Sequence, residues 1–316
     1  MDVTSLILMG AFLADWFLGD PVYRYHPIRL MGRAITWGEN RIRGVLSHTF
    51  LEGAVLALLF PVIVFGISAL IVTLSYRIHF GLGFLVSLYG IYTALSVKDL
   101  RDEGLRVYRA CCEEDLGLAR REVSRIVGRD TADMQLPDVQ RAAVETIAES
   151  TVDGVIAPLF YAVLGGAPLA LTYKAVNTLD SIIGNRNEKY HEFGRFAAKQ
   201  DEVWNWVPSR FSYVLIALAA LLSGCRGACA LKVGWSHVCK IRSTSSNVSE
   251  SAYAGALGLQ LGGPSRYGGQ IRHKPLLGIA DRDVACADIL RSLRLMRSTA
   301  WVSLILFLFL RYTMSL

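Results

Sequence analysis

Three acids spaced four residues apart, Glu145, Glu149 and Asp153, share one face of any helix that carries them, with about 6 Å of rise between neighbours. Such a stripe suits Mg²⁺, a hard cation that takes one or two carboxylates and leaves its other positions to water and nucleotide phosphates. The alternative is a solvated face on which Arg141 pairs with Glu145. A second group, Lys174, Asn177, Asp180 and Ser181, falls on adjoining helical faces, and its cation, amide and carboxylate suit phosphate and metal binding. Gly184, Asn185 and Arg186 follow as a turn with a further cation. Here the alternative is a snorkelling lysine at a polar helix end. In the third group Asp15 and Asp20 bracket Trp16 and Gly19, with His26, Pro27, Arg29 and Arg33 after them. A carboxylate inside an apolar span is costly, which marks Asp15 as a functional candidate. His26 is either structural or a proton donor and acceptor, and Trp16 and the arginines also serve as interfacial anchors.

A glycine-rich stretch runs from Gly255 through Gly258, Gly262 and Gly263 to Pro264, and Tyr267-Gly268-Gly269 follows. Its backbone N–H groups could approach an anion, or its glycines could allow close helix packing; no G-K-[ST] follows, so it is not a Walker loop. No G-x-S-x-G elbow occurs, and the nearest approach to a zinc-protease helix, His191 to Arg195, ends in Arg where a second His is needed. Cys225, Cys229 and Cys239 resemble a loose metal cluster but lack the spacing of a zinc site. The six cysteines set no disulfide pattern and are expected as reduced thiols. A net charge of +6 is spread through mixed polar stretches, without a basic block, so no nucleic-acid partner is expected.

These groups need elements to hold them, and the composition indicates a membrane. The chain of 316 residues is 53% hydrophobic and 19% charged, with a mean hydropathy of +0.36, more apolar than soluble domains usually are. Apolar segments fall near Val3 to Leu18, Leu51 to Tyr76, Phe80 to Val97, Val155 to Leu171, Phe211 to Leu222 and Trp301 to Leu310. The first lacks a basic flank and a cleavage site and is expected to remain as a span. The fourth is interrupted by Gly165-Gly166-Ala167-Pro168, and the fifth is short. Folding the fourth back as a re-entrant hairpin keeps the similarly basic stretches 98–153 and 174–210 on one side, as the positive-inside rule prefers. The polar stretches have helical periodicity, with Pro137-Asp138 opening one helix, and no strand-like alternation stands out. The expectation is an all-α, polytopic integral membrane protein with about four to six membrane segments, some broken or re-entrant, and residues 1–316 forming one helical domain.

Several strings, taken in order, resemble one family. DWFLGDP with HPIRLMGR, SRIVGRDT, ETIAESTVDGVIAPLFY, YKAVNTLDSIIGNRNEKY, NWVPSR and AGALGLQLGGP with YGG span about residues 15 to 269. They are similar to the adenosylcobinamide-phosphate synthases of cobalamin biosynthesis, the CbiB/CobD type. The resemblance implies a ligase in the cytoplasmic membrane that consumes ATP, with Mg²⁺, to join adenosylcobyric acid to an aminopropanol phosphate through an amide, its site facing the cytoplasm. It implies Glu145, Glu149, Asp180 and His26 in catalysis, and Glu149, Asp153 and Asp180 on the metal. Lys174, Asn177, Arg186, Arg125, Arg129, Asp15, Asp20, Arg29, Gly262 and Gly263 would then contact substrates and phosphates. Lipid and downstream corrinoid enzymes of the membrane are the expected partners. Ser150 stands where the family often has Asn, and Ser243-Thr244-Ser245 where it has Ser-Pro-Asn, which bears on the choice of amino-alcohol, as norcobamide makers use an ethanolamine phosphate. Competing readings are a corrinoid or anion carrier and a catalytically silent scaffold. A CDP-alcohol phosphotransferase fails on motif spacing after Asp153-Gly154.

Overall fold

The computed structural model describes residues 2–21, 23–45, 48–184, 189–238 and 244–314. Arg186, Asn185, Cys239 and Ser243 lie outside them. The elements in order are α1 (Val3–Leu18), α2 (Pro27–Ile42), α3 (Thr49–Ile78), α4 (Phe80–Tyr92), α5 (Val97–Cys112), α6 (Leu116–Val123) and α7 (Leu136–Thr151). A π-turn (Val152–Ile156) leads into α8 (Ala157–Ile183), α9 (Arg195–Trp204), α10 (Trp206–Leu222), α11 (Gly227–Val238), α12 (Ser245–Leu257), β1 (Gln260–Tyr267), β2 (Gln270–Gly278) and α13 (Cys286–Met314). The protein is thus an all-α polytopic membrane protein, with one β-hairpin among the described residues. Among the described residues four stretches are long and apolar enough to cross a bilayer, Thr49–Ile78, Phe80–Cys112, Leu136–Ile183 and Cys286–Thr313, and a fifth results if α9 and α10, bent by 49°, count as one.

The chain divides into two compact units. The first comprises Met1–Ser96, Asp153–Val207 and Leu304–Leu316. Its α3 exposes Leu58, Leu59, Val62, Ile63 and Phe65, the face a lipid-bathed helix presents. The opposite face buries Leu56 and Ala57 in a cluster with Ile35 of α2, Leu179 and Ile183 of α8, Phe193 and Ala197.

Within this unit α8 is not a rod. Gly165 (φ −144°, ψ 22°) and Gly166 (φ 63°, ψ −155°) leave helical geometry. A straight helix would part residues 161 and 173 by about 18 Å, yet the rings of Tyr161 and Tyr173 stack with centroids 5.1 Å apart. The chain therefore folds back at the two glycines, giving the re-entrant hairpin expected from the sequence. Tyr161 Oη donates to the Trp204 carbonyl at 2.7 Å, fastening the hairpin to the end of α9.

The second unit comprises Val97–Val152 and Pro208–Ser303. Here α7 packs beside α12, and Tyr253 Oη lies 2.8 Å from Thr151 Oγ1. Two sequence expectations fail in this unit. Cys112, at the end of α5, and Cys286, at the start of α13, form a disulfide rather than two reduced thiols. Nothing local announces the pair, because its members stand 174 residues apart. Among the described residues Cys111, Cys225 and Cys229 are free thiols, as expected.

The glycine-rich stretch begins within α12, which Gly258 caps in a left-handed conformation, and from Gln260 forms an antiparallel hairpin, with Gln260 opposite Gly278 and Tyr267 opposite Gln270, and a register shift between Leu261 and Gly263. Its glycines and proline dilute the apolar alternation by which strands are recognised. Gly262 has φ +85°, and a Cβ there would lie 2.0 Å from the Pro275 carbonyl oxygen, so only glycine permits the bulge.

Candidate active site

The candidate residues divide between the units. In the first unit α1, the α8 hairpin and α9 surround Lys174. The carboxylates whose charge bears on it are Asp153, Asp20, Asp201 and Asp15. Asp15 is buried on α1, whose C-terminal end is held by Tyr92 Oη donating to the Gly19 carbonyl. His26 is buried, with Nε2 2.7 Å from Asp20 Oδ1. Tyr173 Oη donates to Asn205 Oδ1 at 2.9 Å and lies 3.4 Å from Asp153 Oδ1. Asn205 Nδ2 donates to Asp201 Oδ2 at 3.0 Å, and Asn177 Nδ2 reaches Asp201 Oδ1 at 3.5 Å. Asp153, Tyr173, Asn205, Asp201 and Asn177 thus form one hydrogen-bonded group, and Lys174 stands one turn before Asn177 on α8, where the charges of the four aspartates act on it.

Sequence reasoning named Asp15, Asp20, His26, Asp153, Lys174 and Asn177 in this group and missed Asp201, Asn205 and Tyr173. Asn205 and Tyr173 stood in the matched strings, but only the fold-back of α8 brings Tyr173 against Asp153. Six residues beyond Lys174, Asp180 is turned about 240° around the helix, and its carboxylate lies where a Cβ on Gly184 would come within 1.9 Å of Oδ1. A cavity of about 740 Å³ opens beside Gly184, lined by Tyr190, His191, Arg195 and Lys199. Arg29 lines a shallow depression with Arg33, Trp37 and Asn40.

In the second unit Glu145, fully buried on α7, accepts from Arg129 Nη2 at 2.5 Å and from the backbone N–H of Gly262 at 2.8 Å. Arg129 Nη1 also donates to Ser265 Oγ at 3.1 Å. Arg141 Nε stands 3.9 Å from Glu145, so the pairing read as the alternative is present but is the weaker contact. Asp130 receives the N–H groups of Gly268 and Gly269 at 3.1 and 2.7 Å. The hairpin's amides do bind anions, but at Gly262, Gly268 and Gly269 those anions are the chain's own carboxylates. Arg125 is exposed and paired with Glu103 at 3.1 Å.

The residues missed in this unit are Glu250 and Lys274. Glu250 is the one acid on α12, a helix of small residues, and that isolation was the available signal. It is fully buried, with Lys274 Nζ of β2 3.6 Å from Oε1. Burial pushes its carboxyl up to about 8, against the pull of Lys274 and with the help of Glu149 and Glu145. Burial opposes charge on Lys274 as well, but Glu250, Glu149 and Glu145 outweigh it and hold its pKa above the ordinary value.

Among the described residues no three His, Cys, Asp or Glu side chains are arranged to hold a metal ion. Mg²⁺ asks only for one or two carboxylates, and hard-oxygen donors such as Asp153 and Asp201 in the Lys174 network fit it.

A sequence profile of the CobD/Cbib protein family matches residues 8–296. The chain belongs to the CobD/CbiB family. Relatives include a cobalamin biosynthesis protein CobD of Klebsiella pneumoniae, 42% identical over 98% of both chains. A cobalamin biosynthesis protein CbiB of Salmonella arizonae is 41% identical over 99% of both. A CobD of Yersinia enterocolitica is 44% identical over 94% of both. No solved structure matches this CobD/CbiB chain.

Proposed function

We propose that this protein acts in cobalamin biosynthesis as an ATP-dependent amide ligase of the cytoplasmic membrane, joining adenosylcobyric acid to (R)-1-amino-2-propanol phosphate to give adenosylcobinamide phosphate. The observation that carries the reading is the hydrogen-bonded group of Asp153, Tyr173, Asn205, Asp201 and Asn177, with Lys174 one turn before Asn177 on α8, in a chain whose near-full-length relatives are named for cobalamin biosynthesis. Amide formation from a carboxylate needs activation, and ATP supplies it by making an acyl phosphate. The reactants are anionic, so the site must offset negative charge and hold it in place. Lys174 is the cation for a transferring phosphate. Asp153 and Asp201 would hold Mg²⁺, which when bound neutralises the nucleotide's phosphates. Tyr173, Asn177 and Asn205 fix the two carboxylates through hydrogen bonds, so the charge is arranged before the substrate arrives. Supply of ATP puts the site on the cytoplasmic side.

The test is purified protein in detergent given adenosylcobyric acid, Mg-ATP and aminopropanol phosphate. ADP is expected only when both co-substrates are present, with chromatographically identified amide in equal amount. Lys174→Met and Asp153→Asn, if folded, should lose activity by about 10²-fold or more, the scale of removing one preorganised charge from a transition state. Folded wild-type protein that makes no amide but carries labelled corrinoid into vesicles would replace the ligase with a carrier.

A further inference from the structure

The second unit buries acidic side chains whose oxygens its own donors do not all satisfy. Glu145 is answered by Arg129 at 2.5 Å, with Arg141 Nε at 3.9 Å and the other end of Arg141 bonded to Asp138 at 2.9 Å. Glu250 is not answered in the same way. Both of its oxygens are buried without a hydrogen-bond partner, and Lys274 Nζ at 3.6 Å is beyond hydrogen-bonding distance of Oε1. Glu149, whose charge bears on Glu250, is half-buried and has no hydrogen bond or ion pair among the described residues. A buried carboxyl group with neither oxygen satisfied is rare enough in folded proteins to need a reason. Lys274, meanwhile, keeps 28% of its side chain exposed beside it.

We propose that Glu250 and Glu149 bind the primary ammonium group of the amine co-substrate and that Lys274 binds its phosphate, so that this unit carries the amino-alcohol phosphate subsite. The inference rests on the ligase reading for the identity of the ligand. An ammonium brings three donors, which Glu149 and Glu250 can share once its positive charge favours release of the Glu250 proton. A phosphate two or three bonds further on needs a cation at the edge of the site, where Lys274 stands. The arrangement selects a zwitterion: an alcohol phosphate lacking the amine leaves Glu250 unsatisfied, and an amine lacking the phosphate leaves Lys274 without its anion.

Two measurements test the subsite without depending on turnover. In calorimetric titration of the full chain in detergent, aminopropanol phosphate should bind at least tenfold more tightly than propyl phosphate. Glu250→Gln should abolish that preference while leaving propyl phosphate and Mg-ATP binding unchanged. Equal affinity of wild-type protein for the two phosphates, or an unaltered preference in a folded Glu250→Gln, overturns the proposal. The second measurement needs no variant. A carbodiimide joins an amine to the carboxylate it contacts, so treatment of wild-type protein with aminopropanol phosphate should add the ligand's mass, less one water, to the peptide containing Glu250 or Glu149. Labelling confined to Asp15, Asp20, Asp153 or Asp201 would move the amine to the Lys174 network and sink this subsite. Failure of amide synthesis with intact amine-dependent binding would instead count against the ligase reading alone.

Discussion

Glu145 carries the sharpest lesson at the scale of single residues. Its spacing with Glu149 and Asp153 suggested a metal-binding stripe, and the family resemblance gave it a catalytic role. The structure gives it Arg129 and the Gly262 N–H, both in the interior. Truncating one member of a buried ion pair strands the other, at a cost of about 3–5 kcal/mol, whereas replacing both with apolar side chains of similar size costs far less. Glu145→Ala should therefore lower the unfolding temperature in detergent severely, and the double variant Glu145→Met with Arg129→Met should recover most of the loss. Recovery would assign the pair to stability. An undiminished unfolding temperature in Glu145→Ala would return Glu145 to the chemistry. Side-chain type and helical spacing sufficed to nominate Asp15, Asp153 and Lys174. They could not nominate Lys274, which stands 24 residues from Glu250, whereas Asp201 did stand four residues before its partner Asn205 and was passed over. Glu250 was visible only as a lone acid among small residues.

At the scale of elements, hydropathy read the hairpin of α8 correctly because a single physical cause is written locally. Two adjacent glycines with a proline two residues on break the helix here, whereas Gly53, Pro61 and Gly66, spread along α3, leave that helix continuous, and irregular backbone at membrane depth survives only when protein or a watery cavity surrounds it. Gly166 is the position on which the reversal turns. Its φ of 63° with ψ of −155° lies in a region open almost solely to glycine, whereas Gly165, at φ −144°, keeps a conformation other residues adopt. Gly166→Ala should thus cost about 1–3 kcal/mol through the backbone, seen as a clear fall in unfolding temperature, whereas Gly165→Ala would act through contact, since a Cβ there lies 2.8 Å from Leu169 Cβ. An unchanged unfolding temperature in Gly166→Ala would mean that the fold-back is set by packing of Tyr161 on Tyr173 and not by the backbone. The β-hairpin and the Cys112–Cys286 disulfide escaped the sequence for the opposite reason: their partners are remote or their alternation is diluted by glycine.

At the scale of the whole molecule, the hairpin decides which polar segments share a side of the membrane. Tyr25 follows α1, and the chain then crosses by α3 and returns by α4, so Ser96 comes back to the side of Tyr25. If α8 spanned, the segment after Gly184 would emerge on the far side; because it folds back, that segment emerges on the near one. The packing of Phe193 and Ala197 against Ile35 and Leu56 in one cluster requires the second arrangement. Three exposed positions of the first unit test it: Tyr25 and Ile78 at opposite ends of the crossing, and Lys199 beyond the hairpin. Cysteines placed singly at Tyr25 and Lys199 should react with a membrane-impermeant maleimide from the same side of oriented vesicles, and one at Ile78 only from the other. Labelling of Lys199→Cys together with Ile78→Cys would make α8 a true span. It would also separate Lys174 from the aspartates of α1 and the α1–α2 loop, and with them the charge network on which the ligase reading stands.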